Sequence, residues 1–281
     1  MTTVNAEQIR QWVNDQGVHY VSEAERYDAM MEPFTSALFE AAGLRPGQRV
    51  LDVGCGSGAT TIAAALQVGP GGAVTGVDVS PPLLDLARRR AARAGASIEF
   101  IEGDAQTYPF PPDAFDALIS RNGLMFFDDP VAAFRNLAGT LEPTGRMAFL
   151  APQGPQRNEW IMAAAAAAAQ HVGMPPGIGP DQPGPFALSD PDRIRSILEQ
   201  GGFADITLDE VVHPIRVGED VEDVIRFILS MPFAQGLLAS APPEKAEAAI
   251  EAMRAALGSY TGPEGVVTQN NGEWLATACV G

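Results

Sequence analysis

The sequence predicts an α/β protein with a doubly wound, mainly parallel sheet, N-terminal helices and an inserted helical cap. Three observations favour this fold class. Short apolar runs alternate with helical patterns between about residues 48 and 150, and the turns between them are short. Hydrophobic residues make up 46% of the 281 residues and charged residues 19%, which supplies a full core. Repeated strand–helix units of this kind give a parallel sheet covered by helices on both faces.

The strand–helix alternation is regular in the first half of the chain. The first strand is expected at 49–53, where it ends at a glycine, and four more are expected at 73–79, 97–102, 114–120 and 145–151. Helices are expected at 60–68, 83–94 and 130–141. Ser80 precedes two prolines and is predicted to cap the second of these helices.

The remainder is less regular. Helical patterns cover 5–41, 155–172 (with seven consecutive alanines), 189–200 and most of 221–259, and strands are expected at 206–212 and 274–280. The Pro/Gly-rich stretch 173–185 is predicted to lack regular structure. We therefore divide the chain into an N-terminal helical segment (1–45), a cofactor-binding core (46–151), a cap insertion (152–188), and the rest of the core (189–281) with a helical insertion at about 217–260.

The composition limits the kinds of partner that we expect the protein to bind. The net charge is −17, and such a field repels phosphate backbones and anionic lipid surfaces, so we expect no nucleic-acid partner. The apolar run 161–169 is far shorter than the roughly 20 residues that a membrane span needs. No secretory signal is visible, and the two cysteines suggest no disulfide framework. A cytoplasmic protein, monomeric or homodimeric, is expected, without a bound metal.

A glycine-rich loop follows the first predicted strand, at residues 50–58. Glycines at such a turn let the backbone pass close to a ligand, where a Cβ atom would clash. The loop alone leaves alternatives open. Gly54, Gly56 and Ala59 also satisfy the dinucleotide pattern G-x-G-x-x-G/A, with Asp78 at a plausible distance for a ribose-binding acid. A tight turn that binds nothing is the third possibility.

Three acidic residues favour a cationic ligand over a dinucleotide. Asp52 lies two residues before Gly54, where a carboxylate would oppose a pyrophosphate. Asp78 and Asp104 follow the next two strands, and ligands of such sheets bind at the carboxyl ends of the strands. S-adenosylmethionine has no phosphate and carries an ammonium and a sulfonium, which carboxylates favour.

The motifs resemble those of a known family. Residues 50–58, 76–80, 103–105, 115–122 and 141–146 look like successive motifs of the class I S-adenosylmethionine-dependent methyltransferases, in particular of the ubiquinone/menaquinone-biosynthesis-type small-molecule branch. The resemblance covers roughly residues 20–151 closely. It implies a Rossmann-like fold and S-adenosylmethionine as cofactor, with S-adenosylhomocysteine as product.

The same resemblance implies twelve cofactor-binding residues: Tyr27, Asp52, Gly54, Cys55, Gly56, Asp78, Val79, Asp104, Ala105, Ser120, Arg121 and Asn122. Asp52 and the glycine loop would hold the methionine end. Asp78 would accept hydrogen bonds from the ribose hydroxyls and Asp104 from the adenine amino group, with Val79 and Ala105 beside them. The turn 120–122 would flank the sulfonium, and Tyr27 would close over the cofactor.

The implied reaction is methyl transfer to a small organic acceptor, natural-product-like or quinone-like, at an oxygen, carbon or nitrogen atom. A general base is needed only when the acceptor must lose a proton, and histidine is the usual one at neutral pH. Among the three histidines, His19 and His171 are the candidates, and His213 is expected to be structural or exposed. Segments 5–28 and 152–188 are predicted to form a mobile cover over the acceptor.

Two other functions remain compatible with the sequence. Some relatives of this fold bind the same cofactor but catalyse a non-methylating reaction such as cyclisation. An NAD-dependent oxidoreductase is the second alternative, which Asp52 disfavours.

Overall fold

The sheet organises the molecule. A computed structural model describes residues 4–174 and 179–281, and within them a seven-stranded sheet has the order β3-β2-β1-β4-β5-β7-β6. The strands are β1 (Arg49–Val53), β2 (Ala73–Asp78), β3 (Glu99–Glu102), β4 (Phe115–Arg121), β5 (Leu141–Pro152), β6 (Phe203–Gly218) and β7 (Val267–Val280). Strands β1 to β5 pair in parallel, whereas β7 runs antiparallel to both β5 and β6. The predicted mainly parallel α/β fold is confirmed.

Helices connect the strands and cover the sheet. Eleven α-helices lie within the described residues: α1 (Ala6–Val13), α2 (Asp15–Ser22), α3 (Ala24–Ala42), α4 (Ala59–Val68), α5 (Pro81–Ala94), α6 (Pro130–Ala138), α7 (Glu159–Val172), α8 (Pro191–Gln200), α9 (Val221–Ser230), α10 (Pro232–Ala239) and α11 (Pro243–Gly258). The predicted helix at 155–172 begins as a single 3-10 turn, Pro155–Arg157, before α7. Part of the Pro/Gly stretch, residues 175–178, lies outside the described residues.

The last two strands are much longer than the predicted segments 206–212 and 274–280. They pair with each other in antiparallel register from Phe203 opposite Val280 to Gly218 opposite Val267. The prediction missed the first half of β7 because Gln269, Asn271 and Glu273 are polar, yet these side chains are buried. Pro214 is tolerated because β6 is the edge strand of the sheet.

Each face of the sheet carries its own core. On one face Phe34 and Leu38 of α3 pack with residues of α7, α9 and α11, and on the other Phe134 and Leu137 of α6 pack with α8. All four of these side chains are fully buried. The first face therefore holds the N-terminal helix and the inserted helices together, next to the carboxyl ends of β1 and β4.

The N-terminal segment crosses the carboxyl ends of β2 and β3. Ser80 is the N-cap residue of α5, as predicted, although its hydroxyl donates to the carbonyl of Trp12 at 2.7 Å instead of bonding to the first turn of the helix. The Asn5 amide donates to Asp104 Oδ1 at 2.9 Å, and the backbone N–H of Asn5 donates to Asp128 Oδ2 at 2.6 Å. These contacts hold α1 and α2 over the ends of the strands.

Candidate active site

A cavity of about 690 Å³ opens at the carboxyl ends of β1, β2 and β4. Its floor is the glycine loop and the residues that end these strands, and its roof is formed by α1, α2, α3, α7, α10 and α11. One half of the wall is polar and belongs to the strand ends. The other half is apolar and belongs to the inserted helices α7 and α9 to α11, while α1 to α3 contribute both polar side chains, such as Gln8 and His19, and apolar ones.

The glycine loop turns its amide hydrogens into the protein. The N–H groups of Gly54 and Cys55 donate to the Val77 carbonyl at 2.9 and 3.1 Å, and the N–H of Gly56 donates to Asp78 Oδ2 at 2.8 Å. A phosphate site requires free N–H groups at this turn. These three are already used within the protein and are not available to a pyrophosphate.

Two glycines of the loop are required for different reasons. Gly54 has φ +67°, and a Cβ atom there would lie 2.7 Å from the Cα of Gly123, so this glycine allows two backbones to pack together. Gly56 has φ +50°, and a Cβ atom there would meet nothing within 4 Å. Since Gly56 lines the cavity, this residue leaves room for a ligand.

Both carboxylate oxygens of Asp78 accept hydrogen bonds from backbone N–H groups. Oδ2 accepts from Gly56 N, and Oδ1 accepts from Ser80 N at 2.9 Å. Each oxygen keeps a lone pair for a further donor, such as a hydroxyl of a ligand. Burial raises the pKa of Asp78 to about 6, although these two backbone N–H groups favour the ionised form.

Asp104 carries an unsatisfied acceptor at the cavity. Its Oδ1 accepts from Asn5 and from Gln106 N at 3.0 Å, whereas Oδ2 is buried and has no partner among the described residues. A buried acceptor without a donor is costly, and a ligand N–H would satisfy it. Val79 and Ala105, the neighbours of the two acids, also line the cavity, and their contact with the cofactor stays a prediction.

Asp52 and Ser120 lie behind the wall rather than in it. The Asp52 carboxylate is fully buried and accepts from the hydroxyls of Thr60 and Thr61, both at 2.7 Å. The Ser120 hydroxyl donates to the Val53 carbonyl at 2.7 Å and so fastens β4 to β1. Only Oδ2 of Asp52 is used in this way, and its Oδ1 has no partner among the described residues. The role of Asp52 at the methionine end and that of the turn at Ser120 beside the sulfonium stay predictions.

Arg121 and Asn122 do reach the cavity, and Arg121 leads to a residue that the sequence did not single out. Arg121 pairs with Asp28 of α3 at 2.7 Å and donates to the hydroxyl of Thr35 at 2.9 Å. Arg90 of α5 pairs with the other oxygen of Asp28 at 2.8 Å. Asp28 thus joins α3 to α5 and to the end of β4, and the only sequence signal for it is its place next to Tyr27.

His19 and Tyr27 face the cavity together. Nε2 of His19 lies 3.0 Å from the Tyr27 hydroxyl, and Nδ1 lies 3.3 Å from Oγ of Ser230. The Ser230 hydroxyl donates to the Phe227 carbonyl, so it accepts from Nδ1–H, which leaves Nε2 to accept from Tyr27. Burial lowers the pKa of His19 and raises that of Tyr27, so both side chains are neutral at neutral pH.

The remaining histidines lie elsewhere. His171 is partly exposed in the last turn of α7 and is not part of the cavity wall, so the prediction that it acts as a catalytic base is not supported by its position. His213 lies within β6 rather than beyond a strand, with its ring 5.3 Å from that of Phe34. Only His19 lies at the cavity.

The apolar half of the wall is contributed by the inserted helices. Twelve residues from α7 and from the segment α9 to α11 line it, and none of the twelve is polar or charged: Trp160, Ile161, Ala164, Ala165, Ala168, Ile228, Met231, Phe233, Ala234, Leu237, Leu238 and Met253. Alanines on the cavity side of α7 leave the space that larger side chains would fill. All twelve fall in the inserted helical segments, 152–188 and about 217–260, that the sequence predicts, but sequence reasoning named none of these side chains individually as a site residue.

Residues 4–174 and 179–281 carry neither a metal-binding cluster nor a membrane-spanning helix. No group of three or more His, Cys, Asp or Glu side chains is arranged to hold a metal ion there. None of the helices described combines the length and the apolar character that crossing a membrane requires.

The chain is similar to members of a known protein family. Residues 50–145 match the family described as "Methyltransferase domain". The chain is 30% identical over 198 residues to nocamycin O-methyltransferase of Saccharothrix syringae, an alignment that covers 64% of this chain and 69% of that protein. It is 33% identical over 139 residues to a ubiquinone/menaquinone biosynthesis C-methyltransferase of Ectopseudomonas mendocina, covering 46% of this chain and 54% of the relative.

The fold is also found among solved structures. The YcgJ protein of Bacillus subtilis superposes with a TM-score of 0.59 at 19% identity, covering 88% of this chain and 98% of that protein. At this identity the likeness concerns the fold alone. The chain spans less than half the length of several curated relatives that it matches.

Proposed function

Because this chain belongs to the class I S-adenosylmethionine-dependent methyltransferases, we propose that it transfers a methyl group from S-adenosylmethionine to a small, apolar organic acceptor. One observation carries the proposal. A single cavity joins a polar half at the strand ends to an apolar half under the inserted helices, so a polar cofactor and an apolar acceptor have adjoining places in it.

The polar half fits the cofactor that the family uses. The unpartnered Oδ2 of Asp104 suits the adenine amino group, the free lone pairs of Asp78 suit the ribose hydroxyls, and the space beside Gly56 admits a ligand. The inward amides of the loop do not suit the pyrophosphate of NAD, which argues against an oxidoreductase. Asp52 would act on a cation only from behind the wall.

The chain's own residues would align the acceptor, exclude water and take up a proton. S-adenosylmethionine, when bound, supplies a methyl group on a sulfonium that is already activated for displacement. An acceptor that must lose a proton would give it to the Tyr27 hydroxyl oxygen while Tyr27 passes its own proton to Nε2 of His19. The resulting imidazolium would be stabilised by the bond from Nδ1–H to Ser230.

The apolar half supports an acceptor of the natural-product or quinone-like class. Its twelve lining residues offer no charge for a phosphate or a carboxylate, and Trp160 and Phe233 offer flat apolar surfaces. A neutral, largely hydrocarbon or aromatic molecule with one nucleophilic atom is the acceptor that such a wall selects.

The test has two stages. Calorimetry with S-adenosylmethionine, S-adenosylhomocysteine and NAD should show binding of the first two only. Incubation with methyl-labelled S-adenosylmethionine and a panel of hydroxylated aromatics and quinones should then give a labelled product and S-adenosylhomocysteine in equal amounts. Conversion of an acceptor without S-adenosylhomocysteine would mean a non-methylating reaction, and binding of NAD alone would overturn the proposal at its first stage.

A further inference from the structure

A carboxyl group lies buried in the last strand, next to the cavity but outside its wall. Glu273 of β7 is 1% exposed and stands opposite Pro152 of β5 and Val211 of β6. A buried acid is expensive unless its oxygens are satisfied. Neither the cofactor half nor the proton relay described above uses this group.

The Glu273 carboxyl joins two walls of the cavity. On one side it accepts from the Asn271 amide at 2.9 Å, and Oδ1 of Asn271 accepts from the indole N–H of Trp160 at 2.8 Å. On the other side, with its amide nitrogen turned toward β5 and β7, Asn122 donates to Oε2 of Glu273 at 3.1 Å and to the Leu150 carbonyl at 3.1 Å. Both Trp160 and Asn122 line the cavity.

The two ends of this chain of hydrogen bonds differ in what they face. Asn122, with φ +58°, is in the turn after β4, at the polar half of the cavity. Trp160 is in the first turn of α7, at the apolar half. A rigid connection between them sets the distance between the end of β4 and the wall against which an acceptor packs.

The surroundings of Glu273 are short of positive charge. Burial raises its pKa to about 8, and the strongest opposing effects are the bonds from Asn271 and Asn122, followed by the charge of Arg121. Arg121 is itself paired with Asp28. On the paired strand β6, Asp209 and His213 share the sheet face of Glu273, because side chains two residues apart point to the same face. Glu159 lies on α7, which packs against β7.

We propose that Glu273 is a positioning residue for the acceptor, which acts through Asn271 on Trp160 and through Asn122 on the end of β4. This inference rests on the proposed methyl transfer for its kinetic consequence, but the hydrogen-bonded link itself does not depend on the reaction. Two variants separate the effect of the hydrogen-bonded link from the effect of the negative charge of Glu273. Glu273→Gln cannot ionise and keeps an acceptor oxygen for the Asn271 amide, and its N–H₂ group is satisfied when Asn122 turns its amide oxygen toward it. Glu273→Leu removes every polar contact.

The kinetic test uses the full chain with its acceptor. Glu273→Leu should raise the acceptor KM about tenfold or more, the size expected from one lost buried hydrogen bond, while the Kd of S-adenosylhomocysteine changes far less. Glu273→Gln should keep the acceptor KM of the wild type at neutral pH. The matched control is Gln269→Leu. It also removes a buried polar side chain from the same face of β7, but the hydrogen bond that it breaks is the one from the Gln269 amide to the Glu159 carbonyl. An unchanged acceptor KM in a folded Glu273→Leu variant would overturn the proposal.

A spectroscopic test needs no turnover. The indole ¹⁵N–H signal of Trp160, assigned by its loss in Trp160→Phe, should shift with pH across the range that contains the Glu273 pKa of about 8. The shift should be absent in Glu273→Gln. A Trp160 signal that titrates equally in both proteins, or in neither, would refute the link. If the link is found and no acceptor is ever methylated, the proposed function fails and the positioning network stands.

Discussion

The two halves of the cavity are built in different ways. The polar half consists of the glycine loop after β1 and of acids at the end of β2 and just after β3, so each group is placed by its own strand. The apolar half is made from side chains of α7, α9, α10 and α11, which are separated by up to about a hundred residues of sequence and meet only when the sheet is complete. A local change in the polar half should therefore weaken cofactor binding alone. A change in the apolar half should weaken acceptor binding alone.

The strongest test of this division is Asp78→Ala. Each charged hydrogen bond that is lost to a ribose hydroxyl should cost about 1.5–3 kcal/mol of cofactor affinity, so a loss of two should weaken binding by about a hundredfold or more. Calorimetry with S-adenosylhomocysteine measures the effect. Near-ultraviolet circular dichroism should show an intact fold, because Asp78 lies at the end of β2. An unchanged Kd would mean that Asp78 serves only its hydrogen bonds with the backbone of Gly56 and Ser80.

Removal of the proton relay should affect turnover rather than binding. His19→Ala should lower kcat by roughly a hundredfold or more for an acceptor that must lose a proton, the usual contribution of a general base. Tyr27→Phe should do the same, since it removes the hydroxyl that links His19 to the cavity. His171→Ala, outside the wall, is the control. Equal losses in all three variants would argue against a relay.

Filling the apolar half should weaken acceptor binding. Ala165 lines the cavity, whereas its neighbour Ala166 is exposed and does not. Ala165→Leu should raise the acceptor KM about tenfold, because overpacking costs on the order of 1–3 kcal/mol. The Kd of S-adenosylhomocysteine should be unaffected. Ala166→Leu places the same bulk on the opposite side of the helix and should change neither constant; a rise in KM there would indicate a general effect on α7.

The smallest effect concerns the cover. We expect the described parts of segments 5–28 and 152–188 to exchange amide hydrogens quickly in the free protein and more slowly with S-adenosylhomocysteine bound. The bonds from Asn5 to Asp104 and Asp128 are the contacts to watch, since they tie the N-terminal segment to the strand ends. Strands β1 and β2 should be protected in both states. Uniformly slow exchange throughout both segments would mean a rigid wall.

The sequence predicted the parallel half of the fold well because its signals are local. Apolar runs of five to seven residues identified β1, β2 and β4, and the acids that end β2 and follow β3, Asp78 and Asp104, do lie at the cavity. The same reasoning failed for the first half of β7. Its polar residues resemble a loop, and only the structure shows that Asn271 and Glu273 satisfy each other inside the protein.

The contacts that sequence reasoning missed join distant parts of the chain. Asn5 binds Asp104 across 99 residues, and Arg121 binds Asp28 across 93. No periodicity or motif encodes such pairs. The Asp52 motif likewise gave no sign that the hydroxyls of Thr60 and Thr61 both donate to one oxygen of its carboxylate.

The buried acid in β7 also sets a limit on thermal stability. Glu273 has a pKa of about 8 when folded against a usual value of 4.5, so the unfolded chain loses this proton at a lower pH than the folded protein does. The contribution to the free energy of unfolding is therefore complete below about pH 4.5 and is lost as the pH rises to about 8, at about 1.4 kcal/mol for each pKa unit. Replacing Glu273 with leucine should raise the melting temperature most at alkaline pH. Selection for thermal stability alone would therefore disfavour Glu273. At this position of β7, the free energy of unfolding and the proposed positioning of the acceptor place opposite demands on the side chain.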